Sequence, residues 1–458
     1  MMRYAAALAL LLTPLGVALP ALAAEPEKRP VPDYDGRGNA QPPARKALWV
    51  PRILLSPAYI VSEYLLRRPL GFTITAAEKA KVPTALYDFF AFGPDHKAGI
   101  VPIAFIDFGF EPSVGLYGFW DDAGFAGHDL RLRASTWGKS WLSGTLTERF
   151  HPSERLELTL SATATRRPDY TFYGIGPDTL EASLVRYSAD TIDAHWESRL
   201  AFGDSSLLDT AFGYRGASFG PTDYDAASRG RFDYEPSLDE AVAAGELAEP
   251  PGFRDGYRAP YVRARLVLDS RPKQDTDSGD YVSESGLRLE LLGEQGADLK
   301  NTPASGWLRY GGTLGGFLDL AQRGRVISLS LTGLLSDPIG ERPVPFTELV
   351  TLGGAGLMPG FRAGRLYDRS AMVATLRYSW PIWIWLNGSL QAATGNVFGE
   401  HFAGMRAERM RFSAAVGIES SGSRDSIFQA LVGFGTETFE SGAQLDSIRV
   451  VLGARNGF

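Results

Sequence analysis

The sequence predicts an all-β chain, a 16-stranded antiparallel transmembrane β-barrel with a short, partly helical N-terminal periplasmic segment. Three observations predict it. From residue 98 onward the apolar residues recur with a period of two. In Arg155–Thr163, for example, Leu156, Leu158, Leu160 and Ala162 alternate with Arg155, Glu157, Thr159, Ser161 and Thr163. Side chains alternate faces along a strand, so each segment has one greasy and one wet face. The wet faces are rich in Arg, Glu and Thr, which suits a water-filled lumen better than the dry centre of a sandwich. The connections also alternate between long and short, as in outer-membrane barrels.

The elements follow in order. Arg3 precedes an apolar run from Ala5 to Leu19, and Ala21-Leu22-Ala23 supplies small residues for cleavage, so residues 1–24 read as a secretory signal peptide. Residues 25–48 are rich in Pro and charge and read as a linker. Within 49–97 the apolar residues Ile53, Ala58, Ile60, Tyr64 and Leu65 fall near helical spacing, and Thr75-Ala-Ala-Glu78 has the form of a capping box. Pro57, Pro69 and Pro83 divide this segment, which is expected to pack on the periplasmic rim, with a plug in the lumen as the alternative.

Residues 98–458 form the expected barrel. Its strands are placed near 98, 113, 127, 140, 155, 184, 207, 258, 281, 305, 325, 370, 386, 409, 426 and 447. With the N-terminus in the periplasm, 166–183, 220–257, 337–369 and 399–408 become outer loops, and 124–126, 151–154, 203–206 and 420–425 become short turns. The stretch 270–280 is a long exception on the turn side. Trp120, Trp137, Trp141, Trp196, Trp380, Trp383 and Trp385 fall mostly near strand ends, as an interfacial aromatic girdle requires. The chain ends on a two-faced strand, Ile448 to Phe458, whose aromatic terminus is similar to the sorting signal of outer-membrane barrels.

The stretch GGAGLMPGFRAGRLYDRS (353–370) combines five glycines and a proline with Leu357, Met358, Phe361 and Leu366. A barrel interior is the place where such a loop can be buried away from lipid. With the Leu376–Pro381 segment, Gly395-Asn396-Val397, the Asp269-Ser270-Arg271 turn and Phe172–Thr179, the chain resembles the BamA/TamA superfamily, the bacterial surface antigens, over roughly 98–458. The resemblance implies that the loop after strand eleven folds into the lumen. Its expected motif comprises Gly353, Gly354, Met358, Pro359, Gly360, Phe361, Arg362, Arg365 and Asp368. It also implies membrane-protein assembly, insertion or translocation through a weak seam between the first strand (98–108) and the last (447–457), where Gly453 and Gly457 leave few side chains.

The chain departs from that family at the tip. The arginine of the family's tip motif is replaced by Pro359, and its two acidic partners by Arg377 and Ala393. An unpaired buried charge is costly, so losing all three is easier than losing one. The expectation is that another network pins the loop, with Arg362, Arg365 and Arg377 set against Asp368 or other lumen acids. Residues 25–97 show no POTRA domain of the family's kind.

The remaining features narrow the function. The chain has 458 residues, no cysteine and a net charge of −7, with no basic run, which argues against nucleic acid as a partner and excludes thiolate chemistry. Gly216-Ala-Ser218-Phe-Gly220 matches a nucleophile-elbow pattern but ends a strand, and Gly203–Leu207 reads as a turn. The five histidines lack ligand spacing, and no catalytic, cofactor or metal site is assigned. The expected partners are outer-membrane lipids, client outer-membrane proteins and periplasmic assembly factors. A static pore and an outer-membrane hydrolase are the alternatives.

Overall fold

The computed structural model describes residues 72, 79–81, 88–93, 95–222, 235–272, 285–301, 305–320, 324–354, 356–383, 386–420 and 427–455. The expected signal peptide, the linker, the capping box at 75–78, Trp385, Gly457 and Phe458 lie outside these residues. The sixteen barrel strands are β1 (Ala98–Asp107), β2 (Ser113–Trp120), β3 (His128–Thr136), β4 (Leu142–Ser153), β5 (Leu156–Phe172), β6 (Val185–Phe202), β7 (Ser206–Gly220), β8 (Tyr257–Asp269), β9 (Gly286–Asp298), β10 (Ser305–Asp319), β11 (Val326–Ile339), β12 (Ser370–Trp383), β13 (Leu386–Phe398), β14 (Arg411–Ser420), β15 (Ile427–Thr438) and β16 (Leu445–Arg455). Each pairs antiparallel with the next, and β16 returns to β1 and closes the ring.

Fifteen of these strands begin within two residues of the expected positions, and β9 begins at Gly286 instead of 281. The gap expected at 166–183 contracts to the residues between Phe172 and Val185, because β5 and β6 run on past the wall. Pro168 cannot donate to a ladder, and the register shifts there, between Arg167 and Tyr170, before pairing resumes.

The two faces separate as the period demands. Leu116, Leu132, Leu160, Phe212, Leu291, Leu314, Leu329 and Val432 stand exposed on the outer wall. An outward apolar belt around a polar interior is the pattern of a transmembrane barrel. Arg131, Arg149, Thr147, Ser161, Asp209 and Glu294 are buried on the inside. Trp120 and Trp196 face outward, whereas Trp141 is buried and Trp380 lies over Gly388, where an added Cβ would come within 2.3 Å of the indole.

The two longest connections, between Gly220 and Tyr257 and between Ile339 and Ser370, lie at the end opposite the start of β1, and the connection between Asp269 and Gly286 is the long one at the turn end. At the loop end Phe172, Tyr187, Phe253, Phe346 and Tyr367 form a buried aromatic cluster. Helix α1 (Leu238–Ala243) adds Leu238 and Ala241 to it. The helix starts where Ser237 and Glu240 form a capping box, with the Ser237 N–H donating to Glu240 Oε2 at 3.0 Å.

Candidate functional site: the seam and the inward loop

The connection between β11 and β12 turns into the barrel. It forms a small hairpin, Val350–Leu352 against Leu366–Asp368, and its tip reaches the inner faces of β14, β15 and β16. The glycines of the tip are explained by contact. A Cβ on Gly360 would lie 1.9 Å from the Phe434 carbonyl oxygen, so only glycine lets the loop backbone touch the wall. Gly435 makes the reciprocal concession, since the Phe361 ring lies where its Cβ would be. Gly353 has φ 107° and faces the Arg362 carbonyl, again leaving no room for a side chain. Met358 adopts φ 58° and, like Phe361, is fully buried among Val350, Leu352, Leu366 and Val397.

Polar groups of the wall complete the docking. The Gly360 N–H donates to Ser413 Oγ at 2.9 Å, and Ser447 Oγ donates to the Gly360 carbonyl at 2.9 Å. Arg449 Nη1 donates to the carbonyls of Gly354 (2.6 Å) and Pro359 (3.3 Å). The same guanidinium grips Asp107 with a fork, at 2.8 and 3.2 Å. Arg449 lies on β16 and Asp107 on β1, so one side chain ties the loop tip to both strands of the seam. Where the resembled family carries its arginine on the tip, here the tip offers carbonyls and the wall supplies the arginine.

A second network lies beside the first. Arg365 meets Asp446 at 2.8 Å and Glu181 at 3.3 Å, and donates to Thr179 Oγ1 and the Thr179 carbonyl. Arg411 pairs with Glu437 at 2.9 Å and with Asp446 at 3.4 Å, and donates to the Thr179 carbonyl at 2.7 Å. The side chains of Arg365, Arg411 and Asp446 are wholly buried. Arg362 approaches Glu181 at 3.7 Å. Burial pushes the Glu181 carboxyl up against the pull of Arg362 and Arg365. Burial, helped by Glu181, pushes the Tyr173 phenol up to about 12. The Phe172–Thr179 stretch therefore forms the far wall of the loop's pocket. Earlier in the loop, Glu348 takes Arg215 at 2.8 Å and Arg309 at 3.2 Å and accepts the Tyr257 hydroxyl.

Two expected partners sit differently. Arg377 faces inward and pairs with Glu419 on β14, and among the described residues no bond joins it to the loop. The Asp368 carboxylate accepts the backbone N–H of Arg369 at 2.7 Å and joins neither network. Burial pushes its carboxyl up. Asp107, Glu348, Arg411, Asp446 and Arg449 escaped the sequence reading. Parity would have found Arg449, since Ile448, Val450 and Leu452 face outward and leave it in the lumen.

The seam itself is brief. Among the described residues its ladder is Val451–Asp107, Leu452–Ile106 and Gly453–Phe105, extended by the Phe108 N–H to the Val450 carbonyl at 3.0 Å. Pairing of β16 with β15 continues to Arg455, so β16 leaves β1 at Gly453 while staying on its other neighbour. A Cβ on Gly453 would meet the Ala104 carbonyl at 2.7 Å.

Below the loop, a cavity of about 640 Å³ is lined by charged side chains including Arg199, Arg263, Arg265, Glu157, Glu197 and Glu290. These are paired among themselves, as in Arg263–Glu197 and Arg265–Glu290, both at 2.7 Å. Ser218 lies within strand β7 and not on a strand-to-helix turn. Asp337, Glu400 and His401 cluster at the loop end, but Arg369 already supplies a cation there, 2.7 Å from Asp337 and 2.9 Å from Glu400.

No family of known proteins matches the sequence, and no curated protein matches it. Solved structures do match the fold. BamA from Haemophilus ducreyi lacking POTRA domains 1–3 aligns with a TM-score of 0.50 and 13% identity, over 78% of this chain and 70% of that one. CdiB from Acinetobacter baumannii aligns with a TM-score of 0.47 and 10% identity, over 78% of this chain and 59% of that one. The closed 16-stranded barrel with its inward loop is thus a fold of BamA type.

Proposed function

We propose that this BamA-type barrel resides in the outer membrane and inserts or translocates polypeptides by parting its β16–β1 seam. The observation that carries the reading is the brevity of that seam. Among the described residues every other interstrand ladder runs for most of a strand, whereas β1 and β16 share only Val451–Asp107 to Gly453–Phe105. Lipid requires every backbone polar group to be satisfied, so a barrel opens sideways most easily where the fewest ladder bonds must break. The inward loop fits the same reading, since its tip is bonded to both seam strands through Arg449. Proposed partners are lipids, client outer-membrane proteins and periplasmic factors that deliver them. The aromatic cluster at the loop end speaks against a permanently open pore.

The test uses a cysteine pair across the seam, Leu452→Cys with Ile106→Cys, in a chain with no native cysteine. These residues face each other in register, at a separation that suits a disulfide. Oxidation in cells is expected to deplete other barrels from the outer membrane, and reduction to restore them. A locked barrel that leaves outer-membrane composition unchanged, while conducting ions when purified, would establish the static pore instead.

A further inference from the structure

Just before the barrel, Ala91 and Phe92 form a short strand that folds back on β1, with Ala91 opposite Gly99 and Phe92 opposite Ala98. The turn between them has Gly93 at φ 82° and His96 at φ 51°, closed by the His96 N–H to the Gly93 carbonyl at 3.3 Å. The opposite edge of Ala98 and Gly99 is already taken, because they pair there with Trp120 and Phe119 of β2. Ala91–Phe92 therefore lies on the seam edge of β1.

The ladder's parity shows what that edge offers. The Phe108 N–H points at Val450 of β16, so the even residues of β1 direct their bonds toward the seam. In order these are Ala98, Ile100, Pro102, Ala104 and Ile106. Leu452 faces Ile106 at the upper end, and Phe92 faces Ala98 at the lower end. Between them stands Pro102, which has no N–H to give and marks the edge as one without a continuous ladder. The back-folded strand also keeps the wall's two faces. Ala91 is buried with Gly99, whereas Phe92 stands outside in a row with Ala98 and Trp120.

We propose that Ala91–Phe92 is an internal strap, a stand-in strand that covers the turn-end part of β1's seam edge until an incoming extended strand with alternating apolar residues displaces it. The proposal rests on the seam reading above, and it names what guards the seam at the end where β16 has parted from β1. A single strand pair holds the strap, so displacement breaks few bonds, and the incoming strand replaces them with a longer ladder. Phe92 has to leave its outward row for that strand to enter.

Three forms of the full chain, purified and placed in phosphatidylcholine vesicles, test this. One is the unaltered protein. One has the strap fixed, Phe92→Cys with Ala98→Cys. One has it disabled, Phe92→Pro, which removes the N–H facing Ala98. The probe is a fluorescent synthetic peptide of residues 445–455, the chain's own last strand, and the slower migration of heated protein on gels verifies that each barrel is folded. The disabled form is expected to bind the peptide at least tenfold more tightly than the unaltered protein. The oxidised fixed form is expected not to bind, and the same molecules are expected to recover on reduction. Equal binding by folded barrels in all three forms, or by the fixed form before and after reduction, overturns the strap. The two readings separate cleanly. Equal binding together with a seam disulfide that still depletes outer-membrane barrels sinks the strap alone. Strap-dependent binding with a harmless seam disulfide sinks the insertion reading and leaves the strap as a guard of an exposed edge.

Discussion

At the scale of single residues, the inward loop is held by charge placed on the wall. Arg449 satisfies two loop carbonyls and the Asp107 carboxylate at once, and its side chain is almost fully buried. Its removal strands a buried carboxylate and two carbonyls. Arg449→Ala is expected to cost about 3–5 kcal/mol, read as a lower denaturant midpoint of the refolded barrel. Arg449→Lys should fall between, because an ammonium keeps the charge but not the fork. Arg377→Ala provides the contrast. Its pair with Glu419 is more than a quarter exposed on both sides, so the loss is expected to stay within about 1 kcal/mol. Equal losses for Arg449→Ala and Arg377→Ala would mean that the seam clasp is no stronger than a solvated lumen pair.

At the scale of elements, the loop and the strands share one requirement, that backbone approach backbone. The glycines of the tip divide by this criterion. Gly360→Ala drives a Cβ into the Phe434 carbonyl, so the tip has to lift from β15, at an expected cost of about 1–3 kcal/mol. Gly356→Ala meets nothing within 4 Å and is expected to be neutral. Protease sensitivity of the loop in the folded barrel reports the difference, and a Gly360→Ala loop as protected as the unaltered one would contradict the close approach. The strands were legible because each announces its faces locally, as Leu156–Thr163 does. The partners of Arg365 and Arg449 were not, since Asp446 lies 81 residues from Arg365 and Asp107 lies 342 residues from Arg449. The Phe172–Thr179 stretch drew notice in the sequence for its resemblance, and its role as the wall behind Arg365 became visible only in three dimensions.

At the scale of the whole molecule, the barrel is a two-faced ribbon closed on itself. Leu329 is among the most exposed apolar residues of the outer wall, and Leu329→Arg is expected to cost about 2–4 kcal/mol if it sits at mid-depth in lipid. Ser330→Arg, one residue away on the lumen side, should leave folding into vesicles nearly unchanged. Equal penalties for the two would remove the distinction between lipid and lumen on which the barrel reading stands. The apolar outside and the charged inside are properties of every strand, whereas the seam belongs to only one pair, and it is there that the loop, Arg449 and the Ala91–Phe92 strap converge.

The sequence by itself determined the number of strands, their faces, their order and the glycine-rich loop after the eleventh, because a period of two and a local run of turn residues are written within a few positions of each other. Only the tertiary structure decided which charges meet across the lumen, how little of β1 touches β16 and what lies along the edge they leave. Ring closure brings together residues from opposite ends of the chain, and no local pattern records the distance at which they meet.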